Sequence, residues 1–319
     1  MHDLPLTDLV PGVVAGLSAA FFSALSYLVS RHHSLRQRAA GRRGATLRLL
    51  ALAHVLMGSA CLPVTLWLWP DKAPDVAGIS GPLAVSVGLY LLGQSALFAA
   101  LRRVEASRIA PLMGIKIAML ALIVTYALGE SLDPRQWLAV SLCISAAFIL
   151  QAGHGAVPPA ALGFVVASCL CFAVADLGII RLIEALQAGV AAAGGDLGRI
   201  HAGGLALTLT YAACGLLFVP LLVRLRQLDR ADWAASCQYA AAWMAAMAGL
   251  YCCFGLVGVV LGNILQSTRG MMSVALGAVL AHRGWHDLEQ RVDRVTLLRR
   301  IAAATLMTAA IAIYVADLW

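Results

Sequence analysis

The sequence predicts an all-α fold: a polytopic membrane protein of ten transmembrane helices, built as two inverted five-helix repeats. Three observations predict it. Of the 319 residues, 61% are hydrophobic and 12% charged, with a mean hydropathy of +0.85; a soluble domain carries about twice that charge fraction. Apolar runs of about 20 residues, each long enough to cross a hydrocarbon core of ~30 Å as a helix, recur along the whole chain. The two halves resemble each other and each holds an odd number of such runs, so the second copy must enter the bilayer upside down.

The runs lie near 9–30, 48–69, 82–102, 109–128, 136–152, 160–183, 202–223, 238–261, 264–282 and 299–317. The first follows MHDLPLTDLVPG, which has no basic segment, so a retained span is expected rather than a cleaved signal peptide. Turn-forming residues close the others: Pro70 and Pro74 after the second, Asp133-Pro134 after the fourth, Pro158-Pro159 after the fifth, Gly194-Gly195 after the sixth. The third and fourth runs, and the eighth and ninth, are joined very tightly. No long polar stretch remains for a domain outside the bilayer.

The net charge of +7 and the pI near 9.2 do not point to nucleic acid, because the basic residues sit in short connections between runs. Connections after odd-numbered runs hold 17 Lys and Arg; those after even-numbered runs hold only Lys72, Arg135, Arg199 and Arg269. Cytoplasmic loops collect such charge, so the odd connections are expected in the cytoplasm and both termini outside. The segment 31–48, with Arg31, Arg36, Arg38, Arg42, Arg43 and Arg48, reads as a topology determinant that also attracts anionic lipid headgroups. The eight cysteines fall in apolar surroundings without metal-ligand spacing and read as small buried apolar residues.

The internal repeat is legible residue by residue. SAAFFSALSYLVSR (18–31) aligns with SCLCFAVADLGIIR (168–181), setting Ser18, Phe22 and Arg31 against Ser168, Phe172 and Arg181. In the next run Gly58 and Pro63 meet Gly215 and Pro220, and in the third Gly93 and Phe98 meet Gly249 and Phe254. Order is kept throughout. Units 1–157 and 158–319 follow, enclosing a pseudo-symmetric chamber that rocking opens to either side in turn. Gly12/Gly16 and Gly258/Gly262 have the four-residue spacing that lets helices approach closely, and read as packing sites.

With these features the chain resembles the drug/metabolite transporter superfamily in its ten-span EamA-type branch. The most telling stretch is ASRIAPLMGIKIAMLALIVTYALGESLDPRQWLAVSLCISAAFIL (106–150): Ala106 and Ser107, Pro111 opening the fourth run, Gly129-Glu130 closing it, and Gln136. In the second copy the motif is worn, with Trp285 after Gly284 and Ser267 near the proline position. The resemblance implies a secondary transporter, often an exporter, with a cavity lined by the first, third, fourth, sixth, eighth and ninth spans. Such proteins are usually drawn with both termini in the cytoplasm; the arginine distribution here predicts the reverse.

Ionisable groups within a bilayer cost about 2.5–3.5 kcal/mol each on insertion scales, so they need a reason. Lys116 lies within the fourth run and Asp176 within the sixth; Lys116 is one of only two lysines against 21 arginines. Both are candidates for binding substrate or protons, Lys116 by an anion contact or an alternating charge, Asp176 by taking up a proton or holding an amine. Each also has a purely structural reading, snorkelling for Lys116 and an ion pair for Asp176. Counting from one face at 1.5 Å per residue puts Lys116 ~12 Å deep and Asp176 roughly 20 Å, so their direct contact is not assured. Asn263, Gln266 and Arg269 open the ninth run and are candidates for a cavity mouth or an ordinary polar helix start; Tyr90, Gln94 and Tyr251 are weaker candidates, since tyrosines often mark the aromatic belt. His54 reads as a hydrogen-bonded packing residue, and Arg181 and Glu184 as interfacial.

There is no P-loop, GxSxG or HExxH, so neither a nucleotide-driven pump nor a catalytic site is called for, and no cofactor or metal. The expected function is export or exchange of a small polar metabolite, such as an amino acid or amine, across a bacterial inner membrane, by alternating access with optional proton coupling. The expected partners are the solute, the bilayer and, at most, protons and a second copy of the chain. The rival readings are a flippase for a lipid-linked group and a non-transporting scaffold or sensor; the short loops count against the scaffold.

Overall fold

The computed structural model describes residues 6–39, 44–101, 103–104, 109, 112–129, 132–151, 157–225, 228–282 and 294–316. Eleven helices occupy the described residues: α1 Leu6–Ala39, α2 Ala45–Leu68, α3 Val76–Leu101, α4 Ile115–Leu122, α5 Pro134–Gln151, α6 Pro159–Ala192, α7 Arg199–Arg224, α8 Arg230–Val257, α9 Val259–Ser267, α10 Arg269–His282 and α11 Arg294–Ala316. A five-residue π turn, Ile123–Ala127, extends α4. Of the resemblance motif, Ala106, Ser107, Pro111, Glu130 and the Gly284-Trp285 pair lie outside the described residues, as do Arg38's side chain, Arg42, Arg43 and both chain ends.

Six helices (α1, α2, α3, α6, α7 and α8) are long and apolar enough to cross a membrane by themselves. The remaining expected spans are shorter: α4 with its π turn, α5, the α9–α10 pair and α11. The outside of the bundle is apolar, with Leu66, Trp67, Leu216 and Val223 each more than 70% exposed. Those side chains suit lipid, not water, whereas polar side chains such as His54, Gln94, Lys116 and Asp176 are buried.

Local chemistry sets the helix starts. Asp75 caps α3, its carboxylate accepting from the N–H groups of Ala77 and Gly78 at 3.0 and 3.2 Å. Asp229 and Asp232 form a reciprocal capping box at the head of α8. Asp133 and Gln136 do the same for α5: the Gln136 N–H donates to Asp133 at 3.1 Å and the Asp133 N–H donates back to Gln136 at 3.2 Å. The glutamine of the resemblance motif is thus a buried helix cap. Gly258, at φ 82° and ψ 171°, breaks α8 from α9 in a region open essentially to glycine alone. The break therefore falls earlier than the 261–264 join expected from the apolar runs, and Gly258 serves as a corner. Its partner Gly262 packs against Phe254, and Gly12 and Gly16 pack against Val257 and Leu265.

The helix packing has a pattern. α1 lies along α8, α3 along α6, α2 along α7 and α5 along α11. Exchanging the first five expected spans for the second five, in order, turns this set of neighbours into itself. The close approaches follow the same rule. Gly58 on α2 faces Gly215 on α7, where an added Cβ would sit 2.6 Å from the other's Cα. Gly93 on α3 lies against Phe172 of α6, and Gly249 on α8 against the backbone of Ala15 on α1. Pro63 and Pro220 lie within α2 and α7, each five residues beyond its paired glycine.

Candidate functional site

Lys116 is in the first turn of α4, Asp176 midway along α6 and Asn263 midway along α9. All three are buried and they meet. The Lys116 ammonium lies 2.6 Å from Asp176 Oδ2, and Asn263 Nδ2 donates to the same oxygen at 2.8 Å. Asn263 Nδ2 also reaches the Val259 carbonyl of its own helix at 2.9 Å, which fixes its rotamer. One turn before Asp176, the Phe172 ring is 5.9 Å from the ammonium. Two charges that are costly singly are thus neutralised together, with an amide completing the carboxylate's shell.

Beside this pair lies a cavity of about 20 Å³, lined by Lys116, Asn263, Gln266, Ser267 and Arg269 with apolar side chains from α4, α5 and α11. That volume holds a water or so. Arg269 lines it from the start of α10; its Nη1 donates to the Tyr27 hydroxyl at 3.3 Å, and its guanidinium carbon is 5.6 Å from that ring's centre. Four of the residues singled out from sequence therefore surround one cavity, and Asp176 is bonded to two of them.

Tyr90, Gln94 and Tyr251 are elsewhere, in a buried aromatic cluster of α1, α2, α3, α7 and α8. The Tyr90 hydroxyl receives Gln94 Nε2 at 3.2 Å and lies 3.0 Å from His54 Nε2. His54 Nδ1 is 2.8 Å from the Leu50 carbonyl, and its ring stacks on Phe218 at 4.7 Å. The histidine is a hydrogen-bonded packing residue. The Trp243 indole N–H donates to the Tyr211 hydroxyl at 2.7 Å, with Tyr239 stacked on it at 5.8 Å. This cavity is lined by residues of the fourth, fifth, ninth and tenth spans. α3 against α6 and α1 against α8 close at Gly93 and Gly249, and aromatic rings lie in the centre between them. Phe172 borders both regions, 6.2 Å from Tyr90.

Sequence reasoning did not single out Tyr27, although it adjoins Ser26, the repeat counterpart of Asp176. It also passed over a second buried network. Asp232, fully buried at the head of α8, lies 3.1 Å from Arg48 Nε of α2 and 3.1 Å from His33 Nε2 of α1, with Gln37 Nε2 at 3.5 Å. The Asp-x-x-Asp capping spacing at 229–232 was the available signal. Arg181 and Glu184 pair with each other at 2.9 Å, each about half exposed, consistent with an interfacial place.

Residues 10–152 match the EamA-like transporter family. A protein of known crystal structure is similar over 95% of this chain and 96% of its own, with a TM-score of 0.60 at 15% identity, a likeness of fold. No curated protein matches the sequence.

Proposed function

We propose that this chain, whose residues 10–152 match the EamA-like transporter family, is a secondary-active carrier of a small polar metabolite. Members of that family are membrane transporters, and the match supports the coarse function. The finer reading rests on the site.

The two halves, 1–157 and 158–319, act as inverted five-helix units. Support comes from the neighbour pattern that survives exchange of the halves and from the Gly58–Gly215 contact, since a residue can touch its own repeat counterpart only near the axis relating them. Rocking one unit on the other opens the chamber to alternate sides. The single observation that carries the mechanism is the Lys116–Asp176 pair, which joins a helix of one unit to a helix of the other beside a small cavity. When the units part, the pair must lengthen, and two desolvated charges seek replacements. Solute or a proton on Asp176 supplies one, so occupancy and opening are linked. The arginine distribution supports Arg-rich connections in the cytoplasm and both termini outside; a bacterial inner membrane, with export or exchange as the direction, completes the proposal.

The test uses purified protein in liposomes with an imposed pH gradient, screened against amino acids and other small metabolites. Wild type is expected to move at least one solute, with Lys116→Ala and Asp176→Asn abolishing net flux. Wild-type flux in Lys116→Ala, together with an unchanged pH dependence in Asp176→Asn, would refute the role given to the pair. Reporter fusions in each connection read the orientation independently.

A further inference from the structure

We infer that the solute taken into this cavity carries an acid group, a carboxylate or phosphate, and that Arg269 binds it. This rests on the transport reading of the same cavity and adds the substrate's charge. Lys116 and Asp176 cancel: their charges are 2.6 Å apart, and Asn263 serves the same carboxylate. While the pair is closed, neither is left over for a zwitterion. Among the described residues no carboxylate contacts Arg269, whose partner is a neutral phenol. Among the described residues the cavity wall therefore keeps one cation with no carboxylate against it.

The remaining lining groups point the same way. Gln266 is buried on α9, and among the described residues its amide makes no side-chain hydrogen bond, so it is available beside Arg269. The Ser267 hydroxyl already donates to the Ile264 carbonyl at 2.6 Å. Met113, Ile117, Ala147 and Met307 form the apolar side of the same space. A guanidinium presents a planar fork that matches two acid oxygens, and low local polarity strengthens that contact. A free ammonium brought to the same wall meets repulsion from Arg269 and finds the Asp176 carboxylate occupied. The fitting solute is a small acid with an apolar body; a simple amine does not fit.

The experiment follows thermal unfolding of the full chain in detergent with a matched set of probes: isovalerate, isovaleramide, isoamylamine and butyl phosphate. Isovalerate or butyl phosphate is expected to raise the unfolding temperature, with the amide and amine inert. In Arg269→Gln the apparent Kd of the acid is expected to weaken about tenfold or more, the size of one charge-assisted contact, with partial recovery in Arg269→Lys. Stabilisation by the amine, equal stabilisation by the amide, no stabilisation by either acid, or unchanged acid affinity in a monodisperse Arg269→Gln would each overturn the inference. Acid binding without flux in liposomes would sink the transport reading instead; pH-driven flux of an amine would leave transport standing and overturn the charge assignment.

Discussion

Replacing Lys116 with methionine removes the ammonium while keeping an unbranched apolar side chain in its place. Asp176 is then a buried carboxylate, its side chain 7% exposed, with the Asn263 amide alone among the described residues still donating to it. Breaking a buried pair from one side costs about 3–5 kcal/mol, because the surviving charge is uncompensated. At ~2 °C per kcal/mol that lowers the unfolding temperature by roughly 6–10 °C. Asp176→Asn carries a similar cost for the opposite reason, leaving the Lys116 ammonium with no carboxylate against it among the described residues. The double variant Lys116→Met/Asp176→Asn loses both charges and keeps an amide that can accept from Asn263. Replacing a whole buried pair is often neutral, so the double is expected within about 1–2 kcal/mol of wild type, far above the sum of the singles. Thermal unfolding of the four detergent-purified proteins, followed by tryptophan fluorescence, gives the coupling directly. Additive effects, or single variants as stable as wild type, would refute the claim that these two residues neutralise each other in the folded protein.

Gly58→Ala places a methyl carbon 2.6 Å from the Gly215 Cα, so α2 and α7 must move apart; a lower monodisperse yield and lower unfolding temperature are expected by fluorescence-detected size exclusion, and an unchanged profile would contradict the close crossing. Asp232→Leu strips His33 and Arg48 of a shared, fully buried acceptor and is expected to destabilise by about 3 kcal/mol or more. Arg181→Ala breaks a half-exposed pair and is expected to cost about 0–1 kcal/mol, so the contrast between the two in one thermal assay tests the burial argument. Gly258→Ala puts a side chain at φ 82° and is expected to cost about 1–3 kcal/mol, read as a drop in unfolding temperature; a neutral outcome would mean the α8–α9 corner adapts.

Much of this architecture was legible in the chain itself. Apolar runs and their breakers located the helices, because a bilayer demands continuous apolar length and Pro or Gly interrupts it. The repeat alignment found Gly58 with Gly215 and Gly93 with Gly249, and each proved to be a point of close helix approach, where any larger residue collides. Lys116, Asp176, Asn263, Gln266 and Arg269 were legible as candidates, because a polar group in apolar sequence is conspicuous wherever it lies. Which of them meet was not. Depth counted along straight helices set Lys116 and Asp176 apart, yet the unbroken helix of the fourth run starts only at Ile115, and α4 meets α6 so that the two charges close to 2.6 Å. The aromatic cluster around Tyr90, the Asp232 network and the Tyr27–Arg269 contact join residues up to 242 positions apart. A linear pattern reports the periodicity and polarity of a segment. Crossing points and side-chain partners depend on how separate helices tilt and dock, and that is fixed only when the whole bundle packs.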